Sequence, residues 1–113
     1  MLSEESTPSS VLWPSNVVWV GPDVVRNHFN TSDLPTQVQR GELIEGLWKD
    51  RHLPRPRNEP HCTRSQMLIY WSEQRQPVAL VHRYLRPDGS LGASGRPDPK
   101  RVVVGDVVYA TKG

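Results

Sequence analysis

The chain has 113 residues, 35% of them apolar, with eleven prolines, eight glycines and a formal net charge of +2. That length fits one domain and leaves no room for a second core. The single cysteine excludes an intramolecular disulfide, and the apolar runs of four or five residues are far too short to span a membrane.

Residues 1–10, MLSEESTPSS, are small and polar and are expected to form a mobile tail, with the remaining residues, 11–113, forming a single domain. The start of the chain carries no secretion-signal pattern, and with one cysteine the expected compartment is the reducing cytoplasm. Val17, Val18, Trp19 and Val20 favour an extended segment. Gly21-Pro22-Asp23 breaks it and opens a short helix, because proline suits the first helical turn and aspartate suits the positive end of the helix dipole. Val24, Val25, His28 and Phe29 fall on one face of that helix.

A second helix is expected to start after Ser32-Asp33-Leu34-Pro35 and run to about Trp48, since Leu43, Ile44, Leu47 and Trp48 repeat the same spacing. Gly41 and Gly46 weaken it by about 1 kcal/mol each relative to alanine. Residues 51–64, RHLPRPRNEPHCTR, are broken by Pro54, Pro56 and Pro60 and predict a basic extended connector.

Beyond the connector the period changes to two. Residues 66–72 and 77–85 predict an antiparallel hairpin. A two- or four-residue loop would set Trp71 against Val78, Ile69 against Leu80 and Met67 against His82. The other surface would pair Tyr70 with Ala79, Leu68 with Val81 and Gln66 with Arg83. The first set is the more apolar and is expected to face the helices. Arg86-Pro87-Asp88-Gly89 predicts a tight turn, with Ser90 and Leu91 pairing back briefly. Gly105-Asp106 predicts a two-residue hairpin between residues 101–104 and 107–110. The expected fold is α+β, with two short helices on one face of a four- or five-stranded antiparallel sheet.

The run YLRPDGSLGASGRPDPK, residues 84–100, resembles a segment of short uncharacterised bacterial proteins. The resemblance covers about a sixth of the chain, and what it implies is a prokaryotic or phage-like origin, with no activity, cofactor or partner attached.

Charge is unevenly placed. Residues 1–50 hold three Lys/Arg against seven Asp/Glu, a balance of −4; residues 51–113 hold eleven against five, a balance of +6. A positive side attracts phosphates or an acidic partner. In residues 92–100 the glycines let backbone N–H groups converge, Ser94 adds a hydroxyl, and Arg96, Lys100 and Arg101 supply charge, which together suggest an anion cradle. The competing reading is a loop stiffened by prolines so that two strands can join at a distance.

His82, with Arg83 and Arg86 beside it, supplies the chemical kit of metal-independent RNA cleavage: a base for the 2′-hydroxyl and cations for the phosphate. Strand alternation sends His82 and Arg83 to opposite faces, which argues against a shared phosphate. His52, His61 and Cys62 are too few and too scattered for a zinc site, so no metal or other cofactor is expected.

The expected function is binding, with Arg64, Arg83, Arg86, Ser94, Arg96, Lys100 and Arg101 contacting RNA, DNA or an acidic protein, and Trp71 or Tyr70 offering stacking surfaces. Two alternatives stand beside it. One is a small toxin-like ribonuclease using His82 or His61. The other is a module that pairs through an exposed sheet edge.

Overall fold

The computed structural model describes residues 11–52, 59–93 and 95–112. The expected tail, the middle of the basic connector and Ser94 lie outside the described residues. The elements run β1 (Asn16–Trp19), α1 (Pro22–Thr31), α2 (Leu34–Gln39), β2 (Ile44–His52), β3 (Arg64–Trp71), β4 (Pro77–Leu85), β5 (Asp98–Val104) and β6 (Val107–Ala110). The strands form one sheet in the order β1-β6-β5-β4-β3-β2.

The fold is α+β as expected, but the sheet has six strands rather than four or five and is mixed. β1 lies parallel to β6, while every other pairing is antiparallel. The extra strand is β2, which replaces most of the expected second helix. Leu43, Ile44, Leu47 and Trp48 fit a helical stripe, but two glycines weaken a helix there and β3 offers a ladder partner along its whole length. What remains helical is α2, which is Leu34–Gln39 only, and Gly41 takes a φ of 70° as the chain turns into the strand.

α1 follows its sequence signals. Pro22 occupies the first turn with Asp23 beside it, and Val25 and Phe29 are buried. Those two side chains and Leu34 of α2 pack on Leu68, Tyr70, Ala79, Val81 and Val102. His28 stacks on Tyr109 of β6, ring centroids 4.0 Å apart, which ties α1 to that strand.

The β3–β4 register is the expected one from Arg64↔Leu85 through Tyr70↔Ala79, but the turn is built differently. Ser72 N–H donates to the Gln76 carbonyl at 2.8 Å, leaving a three-residue loop in which Arg75 has a φ of 62°. The register then shifts beside Tyr70, with Trp71 paired to Pro77, and this restores the expected pairing.

The face covered by the helices is the reverse of the expectation: they cover Leu68, Tyr70, Ala79 and Val81. Apolar content could not discriminate, because the other face is covered too. Ile69 and Leu80 are also buried, on the side where Trp13, Trp19, Trp48 and Trp71 lie. A Cβ at Gly46 would come 3.1 Å from the Trp71 indole nitrogen, so that glycine makes room for the ring. Tryptophans take the place of a second helical layer.

Two short turns form as expected. Gly89 N–H donates to the Arg86 carbonyl and Leu91 bridges back to Leu85. Gly105-Asp106 joins Val104 to Val107. Among the described residues no helix is long and apolar enough to cross a membrane.

Candidate functional site

Most of the cations in the expected binding set are held by carboxylates of the chain itself. Arg64 Nε donates to Asp50 at 2.7 Å and its Nη1 lies 2.8 Å from His52 Nε2, across the β2–β3 pair. The guanidinium beside Asp50 holds that carboxyl below its ordinary value, and Arg64 is raised in turn. Arg83 donates to Gln66 at 2.9 Å and lies 3.7 Å from Glu45, which also accepts the Tyr70 hydroxyl at 3.3 Å. Burial, then the Glu45 charge, pushes Tyr70 up to about 12.

Arg86 is held most closely. Glu59 accepts its Nε at 2.7 Å and its Nη2 at 3.4 Å, and also accepts the Ala93 backbone N–H at 2.8 Å. A Cβ at Gly92 would fall 2.5 Å from a Glu59 oxygen, so a side chain there would displace the carboxylate. At the start of the glycine loop the Ala93 N–H is thus occupied by the chain's own Glu59 carboxylate. These bonds to Arg86 and Ala93 hold the Glu59 carboxyl below its ordinary value.

The second region is a cleft of about 1420 Å³ beside β4. β5 pairs with β4 from Ala79 to His82, and the next bridge on that edge is Leu85–Leu91, which leaves Arg83 and Tyr84 in a gap in the ladder. A gap in the ladder admits side chains from both faces of β4. His82 and Arg83 consequently line the same cleft although they alternate, together with Arg96 and Lys100 of the expected set and Arg26 of α1. Asp98 is shared by two cations, Lys100 Nζ at 2.9 Å and Arg26 Nη2 at 3.6 Å. His82 Nε2 lies 2.7 Å from Ser65 Oγ, and burial, then the nearby Lys100, holds the imidazole below its ordinary value.

The third region was not foreseen. On the helix-free face a shallow depression of about 400 Å³ is lined by Trp19, Trp48, Met67, Lys100, Arg101 and Lys112, among others, and among the described residues no carboxylate lines it. Arg101 sits 5.3 Å from the Trp13 ring centroid and 5.7 Å from that of Trp19. Lys112 lies 5.5 Å from the Trp19 ring and Lys49 lies 4.7 Å from that of Trp48. Trp19 remains 53% exposed. Burial holds Arg101 below its ordinary value, and none of the ion pairs among the described residues includes it. A cation that has lost water without gaining a carboxylate interacts favourably with an arriving anion.

Of the expected set, Arg83, Arg96, Lys100 and His82 meet at the cleft, and Arg101 lies on the tryptophan face. Arg64 and Arg86 line neither region and face their own carboxylates. His61 and Cys62 are exposed in the connector. Among the described residues no cluster of three His, Cys, Asp or Glu side chains is arranged to hold a metal ion. Trp13, Trp19 and Trp48 escaped sequence reasoning, although four tryptophans in a chain of 113 residues were a signal that something besides the helix-facing core needed them. No family model, curated protein or solved structure matches the chain.

Proposed function

We propose that this protein is a small binding domain for single-stranded nucleic acid, held on the helix-free face of the sheet. Bases stack on Trp19 and Trp48, and phosphates meet Arg101, Lys112 and Lys100. The observation that carries the reading is a depression lined by tryptophan and cations with no carboxylate among its described lining residues. Single-strand binders combine these two components, a positive track for the backbone and aromatic platforms for the bases. An acidic peptide would satisfy the cations but leave the exposed Trp19 face without a planar partner. The basic loops contribute less than their charge suggests, because Arg64, Arg83 and Arg86 already face carboxylates.

Titration of intrinsic tryptophan fluorescence with short single-stranded oligonucleotides tests this. Quenching that saturates, weakens steeply with added salt and is not reproduced by duplex or by polyaspartate supports the reading. Flat fluorescence at low salt, or equal binding of polyaspartate, overturns it.

One observation favours a second reading, metal-independent RNA cleavage at the cleft. The imidazole of His82, held below its ordinary value of 6.5, is neutral at pH 7 and able to accept a proton beside Arg83 and Lys100. RNA that stays intact on incubation with the pure protein removes that reading and leaves the binding one untouched.

A further inference from the structure

We infer that the cleft beside β4 is a separate site for a nucleotide bearing a terminal phosphate monoester. Four cations reach it from four different segments: Arg26 from α1, Arg83 from β4, Arg96 from the glycine loop and Lys100 from β5. One lining carboxylate, Asp98, stands against them, and it already faces both Lys100 and Arg26. Arg83 faces a second carboxylate, Glu45, at 3.7 Å. Arg96 is exposed, and none of the ion pairs among the described residues includes it. Among the described residues the four cations thus face two carboxylates, Asp98 and Glu45, which leaves an excess of two positive charges at the cleft. A dianionic phosphate monoester matches this excess better than a diester, which has one charge.

The rest of the cleft matches a nucleoside. Its lining includes apolar Phe29, Val38 and Leu91 and the side-chain amides Asn30 and Gln39. Amides of this kind pair with the edges of bases, and an apolar wall takes the flat of a ring. At about 1420 Å³ the cleft exceeds the ~300–1,000 Å³ usual for small ligands, so a nucleotide would occupy the end beside Arg96 and Lys100.

Lys100 lines both the cleft and the tryptophan depression. The monoester could therefore belong to a free mononucleotide or to the 5′ end of a strand lying on the tryptophans; the strand arm alone rests on the function proposed above.

Calorimetry on the full chain with adenosine 5′-monophosphate, adenosine and inorganic phosphate tests the site. The monophosphate is expected to bind saturably and at least tenfold more tightly than either fragment. Arg26→Ala and Arg96→Ala, both exposed positions, should each weaken it at least fivefold, and Trp19→Ala should leave it unchanged. No saturable binding at millimolar ligand, equal binding of adenosine, or unaltered binding by both arginine variants overturns the inference. A 5′-phosphorylated oligonucleotide compared with its 5′-hydroxyl form separates the sources. A gain abolished by Arg96→Ala places a strand end in the cleft, and mononucleotide binding without such a gain assigns it to free nucleotide. Mononucleotide binding that persists when oligonucleotides fail to bind keeps this site and removes the tryptophan one.

Discussion

The carboxylate-paired arginines and the tryptophan face both carry positive charge, but it faces different partners. Arg64, which opens β3, and Arg86, which follows β4, each lie 2.7 Å from a carboxylate, and Glu59 also accepts the Ala93 N–H at the start of the glycine loop. On the tryptophan face Arg101, Lys49 and Lys112 lie against aromatic rings instead. A positive side chain that meets an acid of its own fold holds the chain together, while one seated on a π face remains able to meet a phosphate. The difference between the regions lies in what faces each charge.

The sharpest way to break that comparison is substitution on the tryptophan face. Trp19→Ala removes one stacking platform, worth about 1–3 kcal/mol per base, so oligonucleotide affinity should fall by roughly 5- to 150-fold. Trp19 is half exposed, so thermal denaturation should show a smaller change than for a buried residue, and unchanged affinity would count against the face.

Next in size is the loss of the internal anion. Glu59→Ala frees Arg86 and the Ala93 N–H together, and Gly92→Ala drives a methyl group into the same carboxylate. Both should lower the melting temperature by more than Asp50→Ala does, because the Glu59 side chain keeps 9% of its exposure and Asp50 keeps 27%. Oligonucleotide affinity at a temperature where the variants stay folded should hardly change. A large loss of affinity in either would move the binding surface back to the loops.

A pH series sharpens the contrast further. His82 is held below its ordinary 6.5 by burial, so the folded protein binds that proton less readily than the unfolded chain. Its contribution to stability is complete above pH 6.5 and is lost as the pH falls through the lowered folded value. Glu59 and Asp50 are lowered from 4.5 and 3.8, and their contributions are lost in the same direction at lower pH. The melting temperature should fall in two stages on acidification, and His82→Gln should remove the first. A melting temperature that rises between pH 7 and 5 would contradict the assignment. The smallest effect is expected for exposed Arg40, whose partner Glu42 lies 3.8 Å away: Arg40→Ala should change stability by less than ~1 kcal/mol in chemical denaturation.

Local chemistry made several elements legible. Gly105-Asp106 and Pro87-Asp88-Gly89 fix their turns through backbone preference, and both turns form where expected. The α1 stripe was legible because Val25 and Phe29 sit four apart with proline in the first turn. β2 was not, since Leu43, Ile44, Leu47 and Trp48 fit a helical stripe as well as a bulged strand, and pairing with β3 decided between them. The buried face was misassigned because Ile69 and Leu80 are buried on their side as Leu68 and Val81 are on the other. Two apolar sets on one hairpin were the visible sign that both faces would be covered.

At the site, charge and residue type were legible and pairing was not. Glu59 stands 27 residues from Arg86 and Glu45 stands well before Arg83 in the chain, so nothing local announces either contact. Arg101 was selected for its charge in a loop reading, and it lies in β5 between two tryptophans from the start of the chain. Such a cluster exists only once β1, β6 and β5 are adjacent.

The central claim is that anion binding belongs to the tryptophan face and not to the carboxylate-paired arginines. Fluorescence titration of one single-stranded oligonucleotide into Arg101→Ala and Arg64→Ala, side by side with the unaltered chain at low salt, tests it most directly. The account predicts at least a tenfold loss for Arg101→Ala and less than a twofold change for Arg64→Ala. Equal losses in the two variants, or the reverse order, would contradict it.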